Sequence, residues 1–490
     1  MTQGKVLGGS SSINGMCWTR ATIDQYDSLE RLGNPGWNFK SLFKWAQNQI
    51  SLGVNAKAEA HGYNGKVNVG FPQPYEAAVV IGHLVTAARA AIPDLAANPD
   101  VASGNPNGAA RFQFSIKPSD ATASTPGGNI RSSSANAYIY PSLLEKPNLV
   151  ILVEHQATRL VWQEKSTSLS RASGVKFIAT PLPQAAPGPE FIVNIVNEAI
   201  VASGAIGSPH FLELSGVGDP RILKKVGIPV QVDLPAVGTN LQDQALNTVI
   251  YAITPDAPAS EYTILNGALT PAVAFVDIEQ VLGAKWARAM GKDLVESIPA
   301  RAKAIVSSGA FTTPVIEFSM AVSQPTFGDR LIGTAFWNLI PQWRGTVHVK
   351  SNNPSVHSEL DPQFFIGHDI DIYLKGNATR LARKIFGTSP LKEYVVAELV
   401  PGLTAIPNNA SDIQWQNYVT SGYSAVLHPI GTVPMLPQKD GGAVGPDLVV
   451  YGTSNVRVVD SSILPVQISA HLSSTVYGIA EKAVDMIRGH

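Results

Sequence analysis

The sequence predicts a large α/β protein. Its 490 residues are 44% apolar, which is ample for sizeable hydrophobic cores and is the composition of a folded chain. Short apolar stretches at 149–154, 158–163, 175–180 and 191–197 predict strands. Residues 198–203 predict a further short buried strand, which runs into a turn at Gly204 and a helix that starts near Ser208 and Pro209.

Chain length sets the number of domains only loosely. It allows roughly three average domains, but two intertwined ones are equally compatible because large α/β units exceed the average. Residues 254–312, rich in Ala and Pro, are expected in a substrate-facing domain.

Charge and cysteine content exclude several classes of protein. The 36 basic and 37 acidic residues nearly cancel, and no basic run indicates a nucleic-acid partner. The single cysteine, Cys17, excludes an internal disulfide framework. No apolar run is long enough to span a bilayer, and no secretory leader is recognisable. The compartment stays open, because a chain that lacks its true start would also lack its leader.

Two histidines near the C-terminal end carry the clearest chemistry. His428 opens the string His-Pro-Ile-Gly-Thr, and His471 follows Ser469-Ala470 at the start of a predicted helix. Histidine exchanges protons near neutral pH. A pair brought together by the fold can stabilise an alkoxide while one member removes the proton.

Several strings occur in a fixed order along nearly the whole chain. They are residues 4–16 (GKVLGGSSSINGM), 131–135 (RSSSA), 204–209 (GAIGSP), 344–347 (RGTV), 428–432 (HPIGT), 458–465 (VVDSSILP) and 470–483 (AHLSSTVYGIAEKA). Together they resemble the signatures of the glucose-methanol-choline (GMC) oxidoreductases, flavoenzymes that oxidise alcohols. One Gly/Ser-rich stretch would indicate only a loop, but the ordered series is far more specific.

The resemblance implies a fold and a domain division. We expect an incomplete Rossmann-like FAD-binding domain, intertwined with an α+β substrate domain built on an antiparallel sheet. The FAD-binding domain is expected at 1–30, 145–250 and 430–490, and the substrate domain at 31–144 and 251–429. No metal is implied.

The expected FAD domain is incomplete because of what the family places before its first signature. There, a strand, a Gly-rich turn and a helix hold the cofactor diphosphate at the helix N-terminus. This chain begins directly on the signature, and no G-x-G-x-x-G follows an apolar strand elsewhere in it. We therefore expect poor FAD binding and an exposed sheet face that favours aggregation.

The resemblance also assigns site residues. His471 is the expected base, and His428 the second donor that stabilises the alkoxide. Contacts to the flavin ring are expected at Ser10, Asn14, Gly15 and Cys17, where small residues let the backbone approach. Ala157 is expected near the adenine, Asp460 and Ser461 near the diphosphate and ribityl chain, and Leu472 at the pyrimidine edge of the flavin. Two positions depart from the common family pattern, namely Gln244, where His is frequent, and Trp343, where Ser is usual.

The implied function is FAD-dependent oxidation of an alcohol, with dioxygen or another acceptor reoxidising the flavin. The strings are most similar to fungal aryl-alcohol-oxidase-like and secondary-metabolite members, which favours an aromatic or polyketide-derived primary alcohol. Phe275, Phe336 and Trp337 are candidate pocket residues. Two alternatives stay open: a non-redox lyase or cyclase that uses the same histidines, and a flavin-free remnant or incorrectly started gene model.

Overall fold

The computed structural model describes residues 3–44, 50–52, 61–62, 65–71, 78–118, 129–164, 168–180, 188–255, 257, 272–284, 313–323, 331–367 and 369–489. Its α-helices are α1 (Ile23–Arg31), α2 (Phe39–Phe43), α3 (Ala78–Ala91), α4 (Tyr140–Glu145), α5 (Gly204–Leu214), α6 (Pro220–Lys225), α7 (Ile278–Leu282), α8 (Asp369–Phe386), α9 (Asp412–Ser421) and α10 (Ser473–Arg488). Short 3₁₀ turns include Gly9–Ser12 and Ser461–Ile463.

The strands of the first half are β1 (Ile50–Leu52), β2 (Val67–Val69), β3 (Gly108–Arg111), β4 (Ile116–Pro118), β5 (Asn129–Arg131), β6 (His155–Trp162), β7 (Ala172–Ala179), β8 (Glu190–Asn194), β9 (Ala199–Val201) and β10 (Val217–Gly218). Those of the second half are β11 (Val232–Asp233), β12 (Ala245–Ile253), β13 (Ala272–Val276), β14 (Ile316–Ser323), β15 (Leu331–Asn338), β16 (Thr346–His348), β17 (Glu359–Asp361), β18 (Val395–Val400), β19 (Ser424–Ala425) and β20 (Val456–Val458).

A seven-stranded antiparallel sheet dominates the second half of the chain. Its order is β18-β12-β15-β14-β13-β3, and β19 also pairs with β12. Alternate residues of a strand point to opposite faces. One face packs against α3 and α8 through residues such as Leu84, Phe318 and Ala378. The other carries Phe275 and Trp337 and lies against the first signature. This confirms the expected antiparallel sheet.

The α/β part is built around a short parallel pair of strands. β9 pairs in parallel with β20, and α5 follows β9 closely, so the predicted order of strand and helix is confirmed. The predicted helix start near Ser208 is wrong, because α5 already begins at Gly204, whose φ is 77°. Helices α5 and α10 contribute Leu212 and Ile479 to the same core as Val201 and Val458. A separate antiparallel sheet, β6-β7-β8, lies beside them. The predicted α/β class is confirmed.

One strand prediction is wrong. Residues 149–153 form no strand, and Val150 is 78% exposed. A strand needs a hydrogen-bonded neighbour, and no described residue pairs with this stretch. The other predicted strands correspond to β6, β7, β8 and β9.

The domain boundaries stay a prediction. The core that contains α5 and α10 also includes Trp37 and Val69, which the sequence places in the substrate domain. Within the described ranges, no helix has the length and hydrophobicity needed to cross a membrane.

Candidate active site

The fold brings the two histidines together. Their ring centroids lie 4.9 Å apart, and the planes meet at 82°, an edge-to-face arrangement. His471 immediately precedes α10, with Leu472 at the helix N-cap. His428 follows Leu427, whose φ of 72° is rare for a side chain branched at Cγ. The predicted proximity is therefore confirmed.

His471 is held at its backbone and its ring. Its N–H donates to Thr19 Oγ1 over 2.8 Å, and its Nε2 lies 2.9 Å from Glu317 Oε1. Glu317 is fully buried on β14, and its Oε2 has no hydrogen-bond partner among the described residues. A buried carboxylate is costly unless it is paired, so its position beside the imidazole indicates a role in the site.

Glu317 is a site residue that the sequence interpretation missed. A signal was present, because Glu317 interrupts the apolar run Val315-Ile316 to Phe318, and acidic residues are seldom buried in strands without a partner. The partner itself lies 154 residues away in the chain, where no local pattern could identify it.

His428 is held by two consecutive residues that immediately precede β12. Its backbone N–H donates to Asp243 Oδ1 over 2.8 Å, and its Nδ1 lies 2.7 Å from Gln244 Oε1. Burial, followed by the nearby charge of His471, lowers the pKa of His428 well below its ordinary value. The His428 ring is therefore neutral near neutral pH and can accept a proton.

Asp243 stabilises the backbone on which His428 is mounted. Its Oδ1 also accepts from the N–H of Gln244 over 2.7 Å, while its Oδ2 is buried without a partner among the described residues. Burial raises the pKa of Asp243 to about 6, although the backbone N–H groups of His428, Gln244 and Leu427 oppose this shift.

Aromatic side chains surround His471. Phe112 lies edge-on at 5.3 Å between ring centroids, and Trp337 at 5.7 Å with an interplanar angle of 87°. Glu317 is directly opposite Trp337 on β15 and Phe275 on β13. Two of the three predicted pocket residues, Phe275 and Trp337, therefore belong to the face that carries the site.

The expectation that Phe336 lines the pocket is wrong. It precedes Trp337 in β15, so its ring points to the other face of the sheet. There it packs 5.8 Å from Phe318, with Lys375 Nζ 6.0 Å from its centroid.

Three of the proposed flavin contacts lie in one short segment that reaches from the first turn of α10 to Phe114. Asn14 Nδ2 donates to Ser473 Oγ over 3.1 Å in the first turn of α10, next to Leu472. Cys17, three residues along, forms a β-bridge with Phe114, a neighbour of the aromatic wall. Gly15 lies between them in the chain. Ser10 is exposed in the 3₁₀ turn, where its Oγ accepts from the N–H of Gly4.

Ala157 lies away from the histidines, whereas Ser461 lies beside His428. Ala157 is exposed on β6, opposite Phe177. Ser461 Oγ donates to the Pro429 carbonyl over 3.1 Å, beside His428. The roles of all these residues toward FAD stay predictions.

Asp460 joins the 3₁₀ turn Ser461–Ile463 to α5. Its carboxylate accepts from Gly204 N–H over 2.9 Å, from Ser208 Oγ over 2.5 Å and from Ser462 N–H over 2.8 Å. It thereby occupies the N-terminus of the helix that follows the parallel strand β9.

The residues present fit the flavin-ring end of FAD. No side chain of the described residues caps the N-terminus of α10, so the N–H groups of its first turn and its positive end are available beside His471 and beside Asn14, which donates to Ser473 Oγ. Such donors suit the electron-rich pyrimidine edge of a flavin. The diphosphate end is different, because Asp460 already fills the N-terminus of α5.

Comparisons with known proteins agree with this geometry. Two models of the family described as GMC oxidoreductase match residues 1–246 and 341–480. The glucose oxidase-like protein fsoC of Humicola fuscoatra is 31% identical, over 99% of this chain and 82% of that protein. An FAD-dependent oxidoreductase from Chaetomium thermophilum superposes with a TM-score of 0.83 at 25% identity, over 100% of this chain and 87% of that one.

A solved fungal aryl-alcohol oxidase also superposes, with a TM-score of 0.77 and 25% identity, over 99% of this chain and 86% of that one. The family matches cover most of the chain, and the strings at 428–432 and 470–483 carry the two histidines of the site. The chain therefore belongs to the GMC oxidoreductases, FAD-dependent enzymes that act on CH–OH groups.

Proposed function

We propose that this protein oxidises a primary alcohol to an aldehyde, with FAD as the electron acceptor and dioxygen or another acceptor completing the cycle. The observation that carries the proposal is the edge-to-face histidine pair, 4.9 Å between centroids, at the uncapped N-terminus of α10. Two imidazoles so placed can contact one alcohol oxygen from two sides.

The hydrogen bonds support a reversal of the roles expected from sequence. The neutral His428 donates its Nδ1–H to Gln244, which leaves a lone pair on Nε2. We assign His428 as the base that takes the hydroxyl proton. His471 is assigned as the donor to the same oxygen, with its ring held by the carboxylate of Glu317, which lies 2.9 Å from Nε2.

The reaction is balanced in protons and electrons. His428 takes the O–H proton of the alcohol, and FAD held beside the N-terminus of α10 would supply the two-electron acceptor for the hydride that leaves the carbon, so that a carbonyl remains. The chain itself orients the alcohol oxygen, supplies and removes protons, and excludes water. Phe112 and Trp337 exclude water from the site, because both rings lie against His471.

The same two rings support an aromatic substrate. An arylmethanol places its ring among aromatic side chains and its hydroxyl between the histidines, and edge-to-face contacts of this kind stabilise aromatic pairs. The similarity to a solved aryl-alcohol oxidase agrees with this class. A sugar, which needs many hydrogen-bond partners, fits the apolar wall less well.

Steady-state assays with excess FAD would test the proposal. Benzyl alcohol, glucose and methanol are compared at equal concentrations, with aldehyde formation and oxygen uptake as readouts. We expect benzyl alcohol to have the largest kcat/KM. A preference for glucose would refute the aromatic assignment while leaving alcohol oxidation intact.

A further inference from the structure

The segment Asn240–Gln244 connects the two parts of the chain that carry the histidines. Asn240 Nδ2 donates to the carbonyls of Gly431 (3.0 Å) and Pro465 (3.1 Å). Gln242 Nε2 also donates to Pro465, and its Oε1 accepts from the N–H of Gln467. The last two residues, Asp243 and Gln244, contact His428 itself.

The orientation of the Gln244 amide is determined by its second partner. Its Nε2 donates to the carbonyl of Leu339 over 2.9 Å, and a carbonyl can only accept. Its Oε1 therefore faces His428, and an amide oxygen can only accept as well. The proton of the neutral His428 ring must then lie on Nδ1.

We propose that Gln244 is a positioning residue that fixes the proton of His428 on Nδ1 and so presents a bare Nε2 to the substrate hydroxyl. This inference rests on the proposed function of His428 as base. Gln244 is buried, with no exposed surface, so solvent does not compete for either end of its amide. Asp243 fixes the backbone of His428, and Gln244 fixes its ring. A catalytic base needs its backbone and its ring held so that the accepting nitrogen points at the substrate hydroxyl.

Gln244 performs this task without adding charge. The titratable groups that face His428 are His471 from the α10 side and Asp243 from the β12 side, and Glu317 lies behind His471. A carboxylate in place of the Gln244 amide would favour the protonated imidazole and raise the pKa of His428. The neutral amide keeps the base unprotonated over a wider pH range.

The direct test is nitrogen NMR of protein labelled with ¹⁵N-histidine, with the His428 signals assigned by their loss in His428→Ala. In the parent we expect Nδ1 to be of the protonated type and Nε2 of the unprotonated type. Gln244→Met, similar in size but with only a weakly accepting thioether in place of the amide, should give a mixture of both forms. A parent protonated on Nε2, or a Gln244→Met variant still fixed on Nδ1, would overturn the inference.

Kinetics give a second readout. In flavin-loaded protein, Gln244→Met should slow flavin reduction by about tenfold or more, since part of the base is misdirected. Gln244→Glu keeps an acceptor for Nδ1–H, so at high pH it should reduce flavin faster than Gln244→Met. Its rate of flavin reduction should also begin to fall at a higher pH than in the parent, because the carboxylate favours protonated His428. If Gln244→Glu loses its flavin-reduction rate at the same pH as the parent, and reduces flavin at high pH no faster than Gln244→Met, the inference is contradicted.

Gln342→Met is the matched control. Gln342 is also buried, and its Nε2 donates to the carbonyl of Ile340 over 3.0 Å. The same substitution there should lower stability without changing the pH profile. If no alcohol reduces the parent flavin, the proposed function fails, whereas the NMR result still decides the role of Gln244.

Discussion

Two regions of this molecule differ sharply in how their side chains are buried and hydrogen-bonded. Around the histidines, Thr19, Asp243, Gln244 and Glu317 are buried and hydrogen-bonded to the groups that they orient. The second region comprises 149–153 and 191–196, and we call it the exposed apolar region. There Val150 is 78% and Val196 84% exposed.

Apolar side chains of the exposed apolar region face solvent. Phe191, Ile192 and Val193 are consecutive in β8 and all exposed, so both faces of this strand, which pairs with β7 among the described residues, are open to solvent. Several exposed apolar residues in a row favour association with another apolar surface. The chain thus holds the backbone and ring of both histidines by buried hydrogen bonds, whereas the exposed apolar region leaves much of its apolar surface in contact with water.

The largest expected effect concerns FAD itself. A polypeptide of residues 1–490 should retain little FAD after gel filtration, because Asp460 occupies the N-terminus of α5 and leaves it unable to bind a diphosphate. Absorbance of the eluted protein near the flavin bands measures retention. Stoichiometric yellow protein would show that another device holds the diphosphate and would remove the contrast between the two regions.

Within the histidine site, replacing the base should have the greatest consequence. With saturating FAD, His428→Ala should slow flavin reduction by about a hundredfold or more, and His471→Ala should cost a similar factor by removing the donor. The double variant should be much less than multiplicatively worse, since both residues act on one oxygen. A His428→Ala enzyme that reduces flavin at the parent rate would refute the assignment.

The charge of Glu317 is expected to matter less. Glu317→Gln keeps an acceptor for His471 but removes the charge, and we expect flavin reduction to slow by on the order of tenfold, the scale of a charged hydrogen bond. Glu213→Gln is the control, because Glu213 is equally buried and its Oε1 lies 2.7 Å from His348 Nδ1. Equal slowing in both variants would indicate a general loss of stability.

Asp243 should make stability depend on pH. Its pKa in the folded protein is about 6, above that of an unfolded aspartate, so the folded state binds more protons between about pH 4 and 6. The free energy of unfolding therefore falls as pH rises through this window. In Asp243→Asn, the decrease in the free energy of unfolding between about pH 4.5 and 7.5 should be smaller by about 2 kcal/mol than in the parent.

Urea unfolding at the two pH values measures this effect. Asp371→Asn is a useful control, because burial also raises the pKa of Asp371 to about 6, although its carboxylate bonds Asn338 and the backbone of Gln342 rather than a histidine backbone. Both variants should flatten the pH dependence of stability. A parent whose stability is constant over this range would contradict the account of Asp243.

The smallest kinetic effect is expected at the exposed apolar region. Val150→Ser combined with Val196→Ser should reduce self-association, measured by light scattering, and leave flavin reduction unchanged at saturating FAD. Val396→Ser is the control, since Val396 is 64% exposed on β18, in the other sheet. If the control suppresses association equally, the region has no special part in it.

The sequence was sufficient for the fold class and for the histidine pair, because both are encoded in local strings. The strings around His428 and His471 identify a family, and the strand, glycine turn and helix at β9, Gly204 and α5 follow from residue type alone. Similarly, the antiparallel sheet follows from the family resemblance and is present.

The rest depended on contacts between distant segments. Whether Phe336 or Trp337 faces the site is decided by the register of β15, and a shift of one residue would exchange them. The stretch 149–154 has the composition of a strand but lacks a described partner. Gln244 was visible as an unusual residue, yet its role follows only from the carbonyl of Leu339 on its other side.

Anaerobic mixing of the FAD-loaded parent protein with benzyl alcohol separates alcohol oxidation from a non-redox reaction. We expect the flavin absorbance to bleach in a single turnover, with one benzaldehyde formed per flavin reduced. The bleaching rate should fall as His428 becomes protonated at low pH. A flavin that stays oxidised while a substrate is converted would contradict the account and establish a non-redox reaction at the same histidines.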